Sequence, residues 1–283
     1  MALRVLLLIV IAAAASAASA EAKQPTDKWV VNFADAQCLA TRNYGSEHDP
    51  FFLVLKAPPL GDVIQIGLVW KGGAREATQV DGDIIFDEAP PIRTNLLQYG
   101  VQSKRQQALY ANVPTAKLAP MRTATSIRIR SSDEGFKRLG SRIGQGGSHT
   151  DVQLQLTHMP ALLQVMESCV ADLREVWNVG ASADAGTLKR DASADLANLF
   201  SGDDYPWQSL LDGQGGAVRV ALLVDEKGQV ADCSIIETSH VAALDAQSCA
   251  LLKDRAKFEP ALGTDGKPAK GAFIQTVKWM VQP

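Results

Sequence analysis

The sequence lacks a strong excess of either charge. Its 28 basic and 31 acidic residues give a formal net charge of −3 at neutral pH. This balance provides no electrostatic basis for nucleic acid or an anionic membrane as the main partner. The chain also lacks internal repeats and, beyond residues 1–20, any apolar run long enough to span a membrane. We therefore expect a processed protein that is soluble and does not bind nucleic acid.

Motifs of enzymes and metal sites are missing as well. The chain has no G-x-S-x-G, S-x-x-K or paired-carboxylate spacing. The glycine-rich segment 144–147 lacks the Lys-Ser/Thr pair and the following helix of a phosphate-binding loop. The histidines show no metal-binding spacing; they are His48, His149, His158 and His240. We predict a non-enzymatic protein without a cofactor or metal, and an envelope enzyme with its site in residues 29–177 is the alternative.

Residues 1–20 have the pattern of a secretory signal peptide. Arg4 precedes the apolar run 5–15, and Ala18-Ser19-Ala20 forms an A-x-A cleavage site. The apolar run is shorter than the ~20 residues of an ordinary spanning helix. We predict export with cleavage after Ala20. Retention of this segment as a membrane anchor is the alternative.

Residues 28–178 are predicted to form a β-rich first domain that ends in a helix. Short apolar runs occupy 51–56 and 63–69, and residues 126–131 alternate as a strand with one wet face does. After Pro160 the period becomes that of a helix. The predicted buried face of this helix consists of Leu162, Met166, Cys169, Leu173 and Val176.

The remaining residues separate into a linker and a small second domain. Residues 179–202 are rich in small and polar side chains and are predicted to be a linker, in which 194–200 could form a short helical turn. The order predicted for residues 203–283 is a short helix at 205–211, strands at 218–224 and 230–237, a helix at 239–258 and a strand at 273–281. The sequence thus predicts an α+β fold of two domains.

Short sequence marks follow one another in a fixed order along residues 203–283. They are Tyr205-Pro206, Gly216-x-Val218-x-Val220, Val224-Asp225-x-x-Gly228-x-Val230, Ser239, Leu244-Asp245, Phe258-x-Pro260-Ala261 and Gly266-Lys-Pro268. Together they resemble the C-terminal domain of the TonB energy-transducer family. The resemblance covers under a third of the chain and implies a periplasmic location.

The resemblance also implies a binding mode. In this family the C-terminal domain holds a short peptide of an outer-membrane transporter, the TonB box, as an added strand, and the family relays the inner-membrane proton-motive force. An exposed sheet edge binds such a peptide by β-augmentation. The implied partner-binding residues are Tyr205, Pro206, Phe273, Gln275, Val277 and Trp279. In the alternative, the chain itself or a second copy in a homodimer covers the last strand.

The chain differs from a tethered transducer in three ways. Its leader is predicted to be cleaved, its linker 179–202 contains no proline, and a folded domain stands where a long proline-rich spacer is expected. The linker spans at most roughly 80 Å when fully extended. We therefore favour partner binding without force transmission. A true transducer, anchored in the membrane by its signal sequence, is the alternative.

All four cysteines follow the leader, and an even count in an exported protein favours two disulfides. Three pairings are open from the residues alone. In the fold that the resemblance implies, Cys233 lies on the second strand and Cys249 on the helix that crosses it. These two are then expected to pair, which leaves Cys38–Cys169 for the first domain.

Two other clusters have an alternative interpretation. Zinc would need Cys233, His240 and Cys249 with a carboxylate from Glu237 or Asp245, and two structural sulfurs are the favoured interpretation. Between residues 122 and 142 only Asp133 and Glu134 oppose a group of basic side chains, which is interpreted as a solvated face or, alternatively, an anion contact. The basic residues are Arg122, Arg128, Arg130, Lys137, Arg138 and Arg142.

Overall fold

The computed structural model describes residues 22–72, 75–101, 105–131, 150–180, 183–184 and 186–281. The predicted leader and its cleavage site lie outside these residues. The same holds for the glycine-rich segment 144–147 and for three residues of the basic group. Those three are Lys137, Arg138 and Arg142.

The first part of the chain forms an antiparallel sheet and a long helix. The elements are β1 (Val30–Phe33), β2 (Cys38–Asn43), β3 (Phe51–Ala57), β4 (Val63–Lys71), β5 (Arg75–Phe86), β6 (Ile92–Val101), β7 (Gln106–Pro114), β8 (Ser126–Ser131), β9 (Thr150–Gln155) and α1 (Met159–Val176). The strand order is β1-β2-β3-β4-β7-β6-β5-β8-β9. The predicted β-rich unit closed by a helix is confirmed.

Alternating side chains bury one face of this sheet against α1. In β3, Phe51, Leu53 and Leu55 are buried while their neighbours are half-buried, as period two requires. Four of the five residues predicted on the buried face of α1 are buried. The prediction for Val176 is wrong, since it is 51% exposed. The helix ends there, and Trp177 fills the core and donates its indole N–H to the Asp35 carbonyl.

The sheet curls until its two ends meet. Tyr44, directly after β2, donates its hydroxyl to the Gln155 carbonyl at 2.7 Å, and Arg42 donates to Thr157. Between the same two ends, Lys23 before β1 forms a parallel bridge with Leu154 of β9. The curved sheet therefore surrounds the face that packs against α1, and its opposite face points away from α1.

The second part forms a three-stranded sheet with one helix across it. Its elements are α2 (Trp207–Leu211), β10 (Gly216–Val224), β11 (Val230–Glu237), α3 (Ala242–Arg255), β12 (Ala261–Leu262), β13 (Pro268–Ala269) and β14 (Gly271–Trp279). The order of the main sheet is β11-β10-β14, and β12 pairs with β13. The overall α+β class and the order of the predicted elements are confirmed.

Helix α3 is shorter than predicted at both ends. At its start the backbone N–H and hydroxyl of Ser239 both donate to the Asp245 carboxylate, so residues 239–241 form a cap and not a helical turn. At its end the N–H of Phe258 donates to the Gly228 carbonyl in the β10–β11 turn. Each end is therefore set by a contact that helical periodicity does not reveal.

The segment predicted as a linker packs on the second core where it is described. Leu188 and Ala192 are buried in that core, and isolated bridges join Arg190 to Leu262 and Ser193 to Glu259. Residues 194–200 contain a turn and no helix. Small side chains here allow close packing, which composition alone cannot distinguish from flexibility.

The outer face of the first sheet carries the second part of the chain. Leu223 of β10 is 2% exposed and belongs to the core of the first part. Lys56 of β3 pairs with Asp232 of β11 at 3.6 Å, and α3 contacts β5 and β6. Lys270 lies over the ring of Trp177 at 4.7 Å. None of the helices among the described residues is long and apolar enough to cross a membrane.

Both expected disulfides are present. Cys38 on β2 is bonded to Cys169 on α1, and Cys233 on β11 is bonded to Cys249 on α3. Each bond ties a helix to a sheet. The second bond excludes the zinc interpretation, because a disulfide leaves no thiolate to bind the metal.

Candidate functional site

The three-stranded sheet has two edges, and they differ in exposure. Along β11 the turn that joins β3 to β4 lies against the strand. A Cβ at Gly61 in this turn would be 3.6 Å from the Ile236 Cα and 3.7 Å from the Ile235 carbonyl oxygen. The Lys56–Asp232 ion pair closes over the same strand. The first part of the chain therefore covers the β11 edge, which is a common protection of sheet edges.

The β14 edge is open within the described chain. All nine residues of β14 pair antiparallel with β10, from Gly271 opposite Val224 to Trp279 opposite Gly216. Apart from the pairing with β10, residues 271–279 make no backbone hydrogen bond to another described segment, and the same holds for residues 230–237 of β11, so the two edges differ in side-chain cover and not in strand pairing. In an edge strand every second residue points its N–H and C=O groups away from the sheet. β14 thus offers a row of groups that an extended chain can bind.

The side chains of β14 that were predicted to bind a partner hold the strand in the second core. Val277 and Trp279 are buried in the second core, and Phe273 packs edge-on against the ring of Phe258 with centroids 5.0 Å apart. Gln275 donates its amide to the Thr276 carbonyl at 3.0 Å. These residues share the face that meets α3 and fix the strand in place. A partner strand beside β14 would meet mainly backbone.

Trp279 lies at the C-terminal end of β14 and contacts side chains from several other elements. Its indole N–H donates to the hydroxyl of Ser248 on α3 at 2.9 Å. The rings of Phe200 and Tyr205 stand edge-on to it, with centroids 5.8 and 5.1 Å away. The Tyr205 hydroxyl donates to the Gln214 carbonyl, and burial raises the pKa of this phenol. The structure thus places the predicted Tyr205-Pro206 segment at the end of β14.

Asp204 holds the Tyr205-Pro206 segment in place, and the sequence analysis did not identify this role. Its carboxylate accepts hydrogen bonds from both guanidinium nitrogens of Arg255 at 2.7 and 2.8 Å, and from the N–H and hydroxyl of Ser201. The Arg255 hydrogen bonds, and then the Ser201 amide, hold the Asp204 pKa well below its usual range. The Ser201-x-x-Asp204 spacing, which resembles a capping box, was the available signal.

Exposed apolar side chains lie on α2, which follows Tyr205, and on the residues that follow β14, and sequence reasoning missed them too. We call this group the end patch; it consists of Trp207, Leu211, Met280 and Val281. Trp207 is 68% exposed, Leu211 60% and Met280 75%. Trp207 and Leu211 lie one helical turn apart on α2, so they share a face. Their apolar character suggested burial, and only tertiary placement shows otherwise.

The basic group is mostly explained by ion pairs. Where described, each arginine of the group has an acidic partner from another element: Arg122 pairs with Glu167, Arg128 with Asp151 and Arg130 with Asp83, at 2.6, 2.8 and 2.7 Å. This arrangement favours the solvated face over an anion contact.

The first part also contains a polar cleft of about 700 Å³ between β5, β6 and β8, with His240 at its rim. Both of its carboxylates have side-chain partners, since Asp83 accepts from Arg130 and Asp81 accepts from Asn95 at 2.7 Å each. The Asp83–Arg130 contact is a surface ion pair. Among the described residues no group of three or more His, Cys, Asp or Glu could hold a metal.

Comparison with known proteins identifies the second part of the chain. The family model described as Gram-negative bacterial TonB protein C-terminal matches residues 202–281. The match includes α2, the whole three-stranded sheet and α3, and this segment is a TonB-like C-terminal domain. No curated protein sequence matches the chain at a significant level.

Proposed function

We propose that this chain is a periplasmic TonB-like protein that takes an extended segment of an envelope protein as an added strand along β14. The proposed partner is a TonB-box-type peptide of an outer-membrane transporter or a segment of another periplasmic protein. This links the chain to TonB-dependent transport across the outer membrane. The role is non-enzymatic and requires no cofactor.

The observation that supports this proposal most directly is the asymmetry of the two sheet edges. Both β11 and β14 are edge strands of the described sheet, but the first part of the chain lies against β11, whereas Ile274, Thr276 and Lys278 of β14 are exposed. A long open edge is an aggregation hazard that proteins usually block. An edge left open beside a covered one is best explained by a partner that occupies it.

The proposed contact is made mainly through main-chain groups. A hydrogen bond of this kind contributes about 0.5–1.5 kcal/mol net, so several of them along β14 give a moderate affinity that tolerates many partner sequences. The buried Val277 and Trp279 keep the strand straight and in register. Specificity then comes from the side chains that contact those of the partner strand.

The domain limits belong to the same proposal. Residues 28–178 form a first domain of unassigned role, 179–202 a connection, and 203–283 the binding domain. N-terminal sequencing of the mature protein tests the exported form. A start at Glu21 supports a free periplasmic protein, whereas an intact leader in the membrane fraction supports the anchored transducer.

The central experiment is site-specific photo-crosslinking in intact cells. A photoreactive residue replaces Thr276, which is exposed on β14, and in a matched control it replaces Glu237, which is exposed on β11. We expect Thr276 to crosslink to an extended segment of an envelope protein, and Glu237 to give no such product. Equal products at both sites, or none at Thr276 with the chain at normal abundance, would contradict strand addition at β14.

A further inference from the structure

The end patch lies where a chain paired along β14 would leave the sheet. Trp279 is the last residue of β14, and Met280 and Val281 continue directly from it. The Tyr205 ring that packs on Trp279 is two residues before Trp207. Met280 and Val281 therefore adjoin the open edge directly, and Trp207 is joined to it through Tyr205.

Helix α2 is fixed in this position. Tyr205 before it is held by the Trp279 ring and the Gln214 carbonyl, and the segment preceding it is held by the Asp204–Arg255 ion pair. A Cβ at Gly215 would lie 2.8 Å from the Trp279 carbonyl oxygen, so the chain after α2 also touches the strand end. Trp207 is thus a large apolar side chain on a rigid support. Tryptophans in such settings often dominate the energy of an interface.

We infer that Trp207, with Leu211, is the specificity anchor for the partner segment and selects a peptide that carries a large apolar residue beside the Trp279 end of β14. This inference rests on the proposed strand addition and adds a side-chain requirement to it. It holds for either direction of the peptide, because the patch lies at the end of the edge.

The surroundings favour a peptide over a membrane as the occupant. Asp203 and Asp212 are exposed on either side of α2 and place negative charge next to Trp207 and Leu211. Carboxylates at that position repel the anionic lipids of a membrane surface. A peptide strand beside β14 satisfies the backbone groups and covers the apolar side chains at the same time, which no lipid does.

The test uses the full chain, exported so that both disulfides form, and a displayed library of random peptides. Bound peptides are sequenced and titrated against Trp207→Ala, Leu211→Ala and Trp207→Phe, with a photoreactive residue at Thr276 to report strand pairing. Trp70, Trp177 and Trp279 are buried and Trp29 is half-buried, so a blue shift of tryptophan emission on binding is assigned to Trp207 when Trp207→Phe abolishes it. Circular dichroism checks that the variants keep the fold.

We expect peptides with one enriched large apolar position that crosslink at Thr276. Their affinity should fall about tenfold or more in Trp207→Ala and less in Leu211→Ala. Trp207→Phe should retain most of the affinity and lose the emission shift. This pattern would establish the anchor.

Three other outcomes would overturn the inference, each in a distinguishable way. Peptides that crosslink at Thr276 and bind Trp207→Ala equally well would remove the anchor and leave strand addition intact. Peptides that depend on Trp207 without crosslinking at Thr276 would contradict strand addition itself. Self-association that Trp207→Ala abolishes, with no peptide selected, would assign the end patch to a homodimer.

Discussion

At the scale of single residues, the ion pair of Asp204 helps to hold the segment that lies at the end of the proposed binding edge. The Asp204 carboxylate is buried, and it receives the Arg255 guanidinium from the last turn of α3. The bidentate geometry fixes direction as well as distance. Loss of this pair should therefore release the segment that carries Tyr205 and Trp207, and it should do so in a pH-dependent way.

The first prediction concerns Asp204→Asn. Since the folded pKa is depressed, the charged carboxylate stabilises the fold fully above its ordinary unfolded pKa of about 3.9, and this stabilisation is lost as pH falls through the folded pKa. Urea unfolding should show the wild type more stable than the variant by a constant margin near neutral pH. The margin should shrink below about pH 4. A margin that grows in acid would contradict this assignment.

The second prediction concerns Gly228 in the β10–β11 turn. Its φ is +75°, and a Cβ there would lie 1.9 Å from the Phe258 carbonyl oxygen. Gly213 is a matched control, because its φ is +64° and nothing lies within 4 Å of its virtual Cβ. Gly213→Ala should cost about 1 kcal/mol of the free energy of unfolding through left-handed strain alone. Gly228→Ala should cost clearly more, and equal costs in thermal or urea unfolding would rule out the clash.

The roles of single residues were predictable where a local sequence pattern indicates them. The disulfide cysteines were identified through their expected elements, and Gly228 is one of the marks that carry the family resemblance. Asp204 and Trp207 were missed for a physical reason. The partner of Asp204 lies 51 residues away in the sequence, and Trp207 has an apolar side chain that single-sequence analysis assigns to a core.

At the scale of elements, local sequence patterns predicted the three helices and six of the strands, whereas the other strands and the strand order needed the structure. The period of β8 and the hairpin of β10 and β11 are visible in the sequence because neighbouring residues alternate between two faces. The β4–β7 and β5–β8 pairings join strands that are not consecutive in the sequence. No local pattern specifies such pairings, so the curled sheet and its covered outer face could not be predicted.

The third prediction concerns the disulfides, each of which ties one helix to one sheet. The Cys233–Cys249 bond closes a loop of about 17 residues, for which chain entropy gives about 3 kcal/mol, and the Cys38–Cys169 bond closes a far longer loop with a larger expected contribution. Paired Cys→Ala substitutions should therefore lower the free energy of unfolding more for Cys38/Cys169. Urea titrations of both variants under oxidising conditions measure the difference. The reverse order would show that native contacts outweigh chain entropy.

At the scale of the whole molecule, the two parts of the chain are packed together, and this packing defines which edge is free. Leu223 belongs to the first core although it lies on the second sheet, and the Lys56–Asp232 pair joins β3 to β11. The edge that the first part covers is the one opposite β14. The first part therefore has a physical consequence for the proposed binding even though its own role is unassigned, since it lies against β11 and leaves β14 exposed among the described strands of the second sheet.

The last prediction tests this link with Leu223→Gln. The substitution would bury the glutamine amide between the two parts of the chain without a hydrogen-bond partner. This should lower the free energy of unfolding by about 2 kcal/mol or more. The contact should loosen, uncover the β11 edge and allow copies of the chain to pair through it. Ile274→Gln is the matched control, because Ile274 lies on the same sheet face and is 47% exposed. Sedimentation should show concentration-dependent association for Leu223→Gln alone. If Leu223→Gln is destabilised yet stays monomeric at all concentrations, the β11 edge is protected by its own strand geometry and not by the first part of the chain.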